Sequence, residues 1–97
     1  MNREQAQEYL DQVSSEWKLS GDGRAIGRSF TFNDFKENMV FVNRVAQLAE
    51  QENHHPDLTI LYNKLKIALS THSIGGLSEN DFILATKIDE VFSFIVS

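Results

Sequence analysis

The sequence predicts an α+β domain in which a four-stranded antiparallel sheet carries helices on one of its faces. Two patterns and their order predict this fold. Apolar residues recur at helical spacing in three segments and alternate at strand spacing in four others. The segments follow the order α-β-β-α-β-β-α, so that a helix joins two hairpins. A chain of 97 residues has the size of one domain, and we expect residues 1–97 to fold as a single unit.

The N-terminal third predicts a helix and a hairpin. Asn2 can cap the helix while Gln5 reaches back to it. The apolar residues that follow at helical spacing are Ala6, Tyr9, Leu10, Val13 and Trp17. A Gly-Asp-Gly turn at positions 21–23 then separates a short strand at 17–20 from a longer one at 25–32.

A second helix is predicted from Asn33 or Asp34 to about residue 51. Its apolar residues cover about half of the helical wheel, whereas a helix lying on a sheet needs an arc of only roughly 100°. The surplus forms a strip of Phe41, Val45 and Leu48, which either contacts a second subunit or packs on a neighbouring helix. We expect a homo-oligomer whose interface includes this strip or the free edges of the sheet, because a chain of this size has a small core.

The second hairpin follows Pro56, with apolar residues at 58, 60 and 62 and again at 65, 67 and 69. A two-residue turn at 63–64 would place positions whose numbers sum to about 127 opposite each other. His55 would then face His72 on the side of the sheet that the helices do not cover. Beyond a Gly-Gly turn, Ser78 is expected to cap a third helix with Asp81 at its third position.

Composition and charge exclude several classes of function. Without cysteine there is no disulfide scaffold, no thiolate nucleophile and no Cys-ligated zinc or iron–sulfur site. The net charge of −5 argues against a nucleic-acid partner, and no apolar run is long enough to span a membrane. The N-terminus lacks the apolar centre of a signal peptide, so we expect a cytoplasmic protein.

All three histidines lie between residues 54 and 72. They could be ordinary surface residues without a function. They could bind a metal ion, although His54 and His55 point apart in an extended chain and no H-x-x-x-H spacing is present. They could also transfer protons, because an unperturbed imidazole pKa of about 6.5 lets one ring donate while another accepts at neutral pH.

A composite motif around the histidines carries a family resemblance. Its parts are His54-His55-Pro56, Tyr62-Asn63-Lys64, Leu69-Ser70-Thr71-His72 and Gly76-Leu77-Ser78 with Asp81. In this spacing the chain resembles pterin-4a-carbinolamine dehydratases, most tightly over residues 50–88. The family fold is a four-stranded antiparallel sheet with helices on one side, and its members are homodimers or homotetramers. Leu58 departs from the pattern, because many members carry tryptophan there.

The resemblance implies a reaction and a set of site residues. Water is removed from 4a-hydroxytetrahydropterin to give quinonoid dihydropterin; the pterin is the substrate, and no metal or cofactor is required. The residues matching the family's three active-site histidines are His54, His55 and His72. The residues expected to bind or orient the substrate, or to orient the histidines, are Glu50, Asp57, Ser70, Thr71 and Asp81. For Glu50 and Asp57 the alternative is an exposed acidic residue without a role, and for Asp81 it is simple capping.

A function without catalysis is the other interpretation. In animals this fold also serves as a dimerisation cofactor for a homeodomain transcription factor. A relative could also bind pterins of the molybdenum cofactor pathway without dehydrating them. The sequence leaves these possibilities open, because binding and turnover would use the same edge of the pterin.

Overall fold

The computed structural model describes residues 1–96, and it confirms the predicted fold class and element order. The elements are α1 (Arg3–Leu10), β1 (Lys18–Leu19), β2 (Ile26–Thr31), α2 (Phe35–Glu52), β3 (Asp57–Leu61), β4 (Lys64–Leu69), a short 3₁₀ helix (His72–Ile74) and α3 (Glu79–Val96). The strands form one antiparallel sheet in the order β1-β2-β4-β3, so that β1 and β3 are its edges. None of the helices among these residues is long and apolar enough to span a membrane.

The core lies between the helices and one face of the sheet. Alternate residues of the central strands are buried in it: Ile26, Phe30, Leu65, Ile67 and Leu69. The residues between them on the other face are mostly exposed, among them Ser29 and Lys66, which lie opposite each other. The period of two in the sequence therefore predicted correctly which side of each central strand is covered.

One ion pair lies at the border of this core. The Arg28 guanidinium donates to Asp89 at 2.6 Å and stacks over Phe30 at 4.4 Å and Phe92 at 5.1 Å. Trp17 donates its indole N–H to the same carboxylate at 2.9–3.0 Å. Burial raises the pKa of Asp89 above its ordinary value, because the hydrogen bond from Trp17 and the charge of Arg28 offset only part of the lost hydration.

Helix α2 begins at the Asp34 cap, whose side chain accepts the Glu37 N–H at 2.8 Å. Its predicted surplus strip is not a free surface. Phe41 and Val45 are both 0% exposed, and the Phe41 ring lies 5.6 Å from that of Phe92 on α3. For these two residues the prediction of a subunit interface was wrong and the alternative, packing on a neighbouring helix, is correct. A helical wheel shows the width of an apolar arc but not which element covers it.

The register of the second hairpin also differs from the prediction. Asp57 pairs with Ala68 and Leu61 with Lys64, so the turn lies at residues 62–63 rather than 63–64. The predicted pairing of His55 with His72 was therefore wrong, because both residues lie beyond the ends of the paired strands. The predicted and observed registers nevertheless place the same residues toward the helices, so the prediction of which side chains share each face of the hairpin was unaffected.

Two side chains from elsewhere in the chain hold this turn. The amide of Asn38, which is fully buried in α2, donates to the carbonyl oxygens of Tyr62 at 2.9 Å and Lys64 at 3.0 Å. Asn63 donates to the Phe32 carbonyl at 3.1 Å. Tyr62 has a φ of 42°, which is unusual for a tyrosine. These tertiary contacts stabilise a turn that local propensity does not favour.

Candidate active site

The C-terminus of α2 places the histidine pair. Asn53 ends the helix in the left-handed conformation with a φ of 50°, and its N–H donates to the Ala49 and Glu50 carbonyls. Asparagine tolerates this conformation better than most residues. The chain then turns sharply into His54 and His55, and the backbone N–H of His54 donates back to Ala49 at 3.1 Å. The sharp turn separates the directions of the two rings.

The ring of His54 points inward to a buried carboxylate. Its Nε2 lies 2.5 Å from Oδ1 of Asp81, whose side chain is 0% exposed. The other oxygen of Asp81 accepts the backbone N–H of Ser78 at 2.9 Å and the hydroxyl of Thr71 at 2.9 Å. The predicted capping contact of Asp81 is confirmed, and the same carboxylate also binds a histidine.

The ring of His55 points outward. Its Nε2 hydrogen-bonds Oε2 of Glu50 on the last turn of α2, and both side chains are largely exposed, at 61% and 76%. The structure thus contains two histidine–carboxylate pairs that differ in environment. The pair of His54 and Asp81 is shielded from water, while that of His55 and Glu50 is open to it.

The third histidine lies in a short closed loop after β4. The backbone of Thr71 forms a bridge with Gly76, with N–H to carbonyl distances of 2.7 and 3.4 Å. Inside this loop the 3₁₀ helix runs from His72 to Ile74 and is capped by Gly75, which has a φ of 63°. His72 is exposed and makes no side-chain hydrogen bond to residues 1–96. Its ring therefore keeps both nitrogens available.

Two of the remaining predicted residues, Asp57 and Ser70, make no hydrogen bond to a histidine. Asp57 is the first residue of β3 and is exposed, and Ser70 follows β4 directly and is half-buried. Neither side chain forms a hydrogen bond within the described part of the chain. Both positions belong to the face of the sheet that the helices leave uncovered, because Asp57 pairs with Ala68 and side chains alternate along a strand.

Ser78 is the site residue whose role the sequence did not indicate. Its hydroxyl lies 2.6 Å from that of Thr71 and binds no backbone N–H of α3 within residues 1–96, so only the Asp81 half of the predicted cap is formed. No sequence signal distinguishes such a contact from ordinary capping. The arrangement as a whole can give and take protons through three imidazoles. No three His, Asp or Glu side chains between residues 1 and 96 are arranged to hold a metal ion.

A family sequence model and individual relatives of this chain point to the same protein family. The sequence model of the family described as pterin 4 alpha carbinolamine dehydratase matches residues 1–91. A Halorhodospira halophila protein provisionally named a pterin-4-alpha-carbinolamine dehydratase is 49% identical over 89 residues, which are 92% of this chain and 81% of that protein. A protein of the same provisional name from Legionella pneumophila strain Corby is 45% identical over 91 residues, covering 94% of this chain and 80% of the relative.

Among solved structures, the crystal structure of a Brucella melitensis protein described as a transcriptional coactivator/pterin dehydratase is similar to this fold. It has a TM-score of 0.88 and 32% sequence identity, and the match covers 94% of this chain and 96% of that chain. The similarity therefore extends over the sheet, the helices and the loops that carry the histidines.

Proposed function

The chain belongs to the pterin 4 alpha carbinolamine dehydratase family, and from that membership we propose that it removes water from a 4a-hydroxytetrahydropterin by histidine acid–base catalysis. The product is a quinonoid dihydropterin, which a reductase can return to the tetrahydropterin. The physiological role proposed is the recycling of the pterin that an aromatic amino acid hydroxylase has used.

The reaction needs one proton delivered and one proton removed. An acid protonates the hydroxyl group on C4a, the C4a–O bond breaks, and water leaves. A base takes the proton from N5, whose electron pair forms the new double bond to C4a. Imidazole suits both steps near neutral pH, and positioned groups of this kind accelerate reactions by about 10²–10⁴-fold. The pterin is the substrate, and the proposed reaction uses no cofactor or metal.

The observation that supports this proposal best is the hydrogen bond between His54 and the buried carboxylate of Asp81. A carboxylate behind an imidazole orients the ring and stabilises the imidazolium that forms when the ring takes a proton. This contact distinguishes His54 from a histidine that merely lies on the surface, because the carboxylate that it binds is 0% exposed. His55, paired with Glu50, and His72 are proposed to complete the proton-transfer set.

Substrate orientation is assigned to the residues around this set. Asp57 and Ser70 are proposed to contact the pterin, because both are open on the uncovered side of the sheet and their polar groups match its donor–acceptor edge. The backbone of Thr71 is already used in its bridge to Gly76. Backbone contacts to the pterin are therefore proposed for the neighbouring positions, 70 and 72.

The test follows the decay of enzymatically generated 4a-hydroxytetrahydropterin by ultraviolet absorbance, with and without the protein. We expect rapid loss with the wild type and turnover reduced by about 10²–10⁴-fold in His55→Ala and His72→Ala. Both side chains are exposed, so the free energy of unfolding should change by no more than about 0.5 kcal/mol. Pterin binding without acceleration would favour the non-enzymatic alternative, and a variant with normal turnover would lose its catalytic assignment.

We also propose that the protein forms a homo-oligomer through strand β3. This strand is an edge of the sheet, and the side chains of Ile60, Leu61 and Tyr62 at its end are 38%, 64% and 66% exposed. An edge strand has unpaired backbone groups that a second copy can extend, and no lysine or proline interrupts residues 57–61. With Phe41 and Val45 buried inside the chain, the free edges of the sheet remain from the predicted interface, and β3 is the longer of the two edge strands.

A further inference from the structure

We propose that Thr71 is a positioning residue that, together with Ser78, holds Asp81 so that His54 carries its proton on Nε2 and presents Nδ1 to the substrate. The inference rests on the proposed function for the role of His54 as a catalytic residue. The position of the proton on the His54 ring can be measured without any enzymatic turnover.

The direction of each hydrogen bond follows from the groups involved. The Thr71 hydroxyl has one hydrogen, and it points to Oδ2 of Asp81 at 2.9 Å. The contact of 2.6 Å between the two hydroxyls must then be donated by Ser78 and accepted by Thr71. Ser78 also gives its backbone N–H to the same oxygen of Asp81 at 2.9 Å. Oδ2 of Asp81 therefore accepts two hydrogen bonds directly, and the Ser78 hydroxyl supports one of them by donating to Thr71.

The tautomer of His54 also follows from matching hydrogen-bond donors to acceptors. An ionised carboxylate can only accept hydrogen bonds, so Oδ1 of Asp81 requires a donor at 2.5 Å, and that donor is the Nε2–H of His54. The negative charge also suits its place in the first turn of α3, where the helix dipole favours an anion. In the neutral ring the lone pair then lies on Nδ1, and this atom is the base.

Burial makes this control effective. Asp81 is 0% exposed and the His54 side chain is 15% exposed, so water cannot easily replace a lost partner. At the pair of His55 and Glu50, water can replace a lost hydrogen-bond partner, because both side chains are open to solvent. Thr71 also closes the loop that carries His72, through its bridge to Gly76. One threonine therefore links the position of the His72 loop to the tautomer of His54.

The test combines nitrogen NMR of the histidine rings with steady-state kinetics. In ¹⁵N-labelled wild type above the titration range of histidine, we expect His54 to be protonated on Nε2. In Thr71→Val, which keeps the side-chain shape, a population protonated on Nδ1 should appear, and kcat should fall by about 10–100-fold with a smaller change in KM. Thr71→Ser retains the hydroxyl and should restore both. Thr86→Val is the matched control, because its hydroxyl binds only the Phe82 carbonyl on α3.

Two results would overturn the inference: a His54 ring with its proton on Nδ1 in the wild type, or wild-type tautomer and kcat in Thr71→Val. If Thr71→Val does not fold, Ser78→Ala replaces it, because that change removes the donor to Thr71. A smaller population of His54 protonated on Nδ1 should then appear. If none appears, the inference is refuted. A wild type with the expected tautomer but no dehydratase activity would contradict the proposed function and support the positioning of His54.

Discussion

Replacing Asp81 by asparagine tests the centre of the site while keeping its size. The amide oxygen can still accept from Thr71 and from the Ser78 N–H, which turns the amide NH₂ group toward His54. Two donors would then face each other over the 2.5 Å that now separates Nε2 from Oδ1. His54 must move its proton to Nδ1 or swing out of the site, and either response removes the base from its position.

The size of the effect follows from three hydrogen bonds to one buried charge. Hydrogen bonds to charged groups contribute about 1.5–3 kcal/mol each, and those between neutral groups about 0.5–1.5 kcal/mol. Asp81→Asn converts two bonds to the neutral kind and either loses the third or reverses it as a neutral bond, while the cost of burying a charge disappears. We therefore expect the free energy of unfolding to fall by about 2–3 kcal/mol, which lowers Tm by roughly 10–20 °C. Turnover should fall by about 10²-fold or more.

Urea unfolding followed by fluorescence gives the stability, since the single tryptophan is Trp17 and it is 2% exposed in the folded state. Glu79→Gln is the matched control, because it removes an exposed carboxylate from the same first turn of α3. Glu79→Gln should lower the free energy of unfolding by less than about 1 kcal/mol, which is what a charge at a helix end contributes. If Asp81→Asn unfolds and turns over like Glu79→Gln, then the hydrogen bonds of Asp81 do not support the site and the reasoning fails.

Three further predictions concern other parts of the molecule. Burial raises the pKa of Asp89, so the folded state binds its proton more tightly than the unfolded chain. The wild type should therefore gain stability relative to Asp89→Asn as the pH falls from about 7 toward 4. The difference between their free energies of unfolding should change by no more than about 1.4 kcal/mol per pH unit. Urea titrations at each pH would show a shift of the opposite sign if the Arg28 ion pair outweighed burial. Dialysis against a strong chelator should leave dehydratase activity unchanged, and a loss that zinc restores would contradict the acid–base scheme. Leu61→Lys places a charge on the exposed edge of β3 and should shift the protein toward a monomer at tens of micromolar, whereas Ile83→Lys on α3 should not. Sedimentation velocity distinguishes the outcomes, and a wild type that is already monomeric would refute the edge interface.

The sequence by itself determined the elements, their order and the buried side of each central strand. These properties depend on residues close together in the chain, because the periods of 3.6 and 2 are local features of the backbone. The composite histidine motif also indicated the family and its three candidate imidazoles. The contact of the Asp81 side chain with the Ser78 N–H was predictable for the same reason, since the two residues are three positions apart.

Only the tertiary structure decided which distant residues meet. The apolar pattern could not set the hairpin register, because the predicted and observed pairings bury the same side chains. In the observed register, Asn38 of α2 binds two carbonyls of the turn, a contact that only the folded chain can make. Phe41 and Val45 were indistinguishable from an interface strip until α3 and the sheet were placed against them.

The same limit applied to the site. Local spacing identified Asp81 as a helix cap and His54 as one of a histidine pair, but these residues are 27 positions apart and no periodic pattern connects them. Their contact exists because α2 ends in a left-handed Asn53 beside the start of α3. Packing of those two helices in three dimensions, which local sequence does not encode, is what turns a capping carboxylate into the partner of an imidazole.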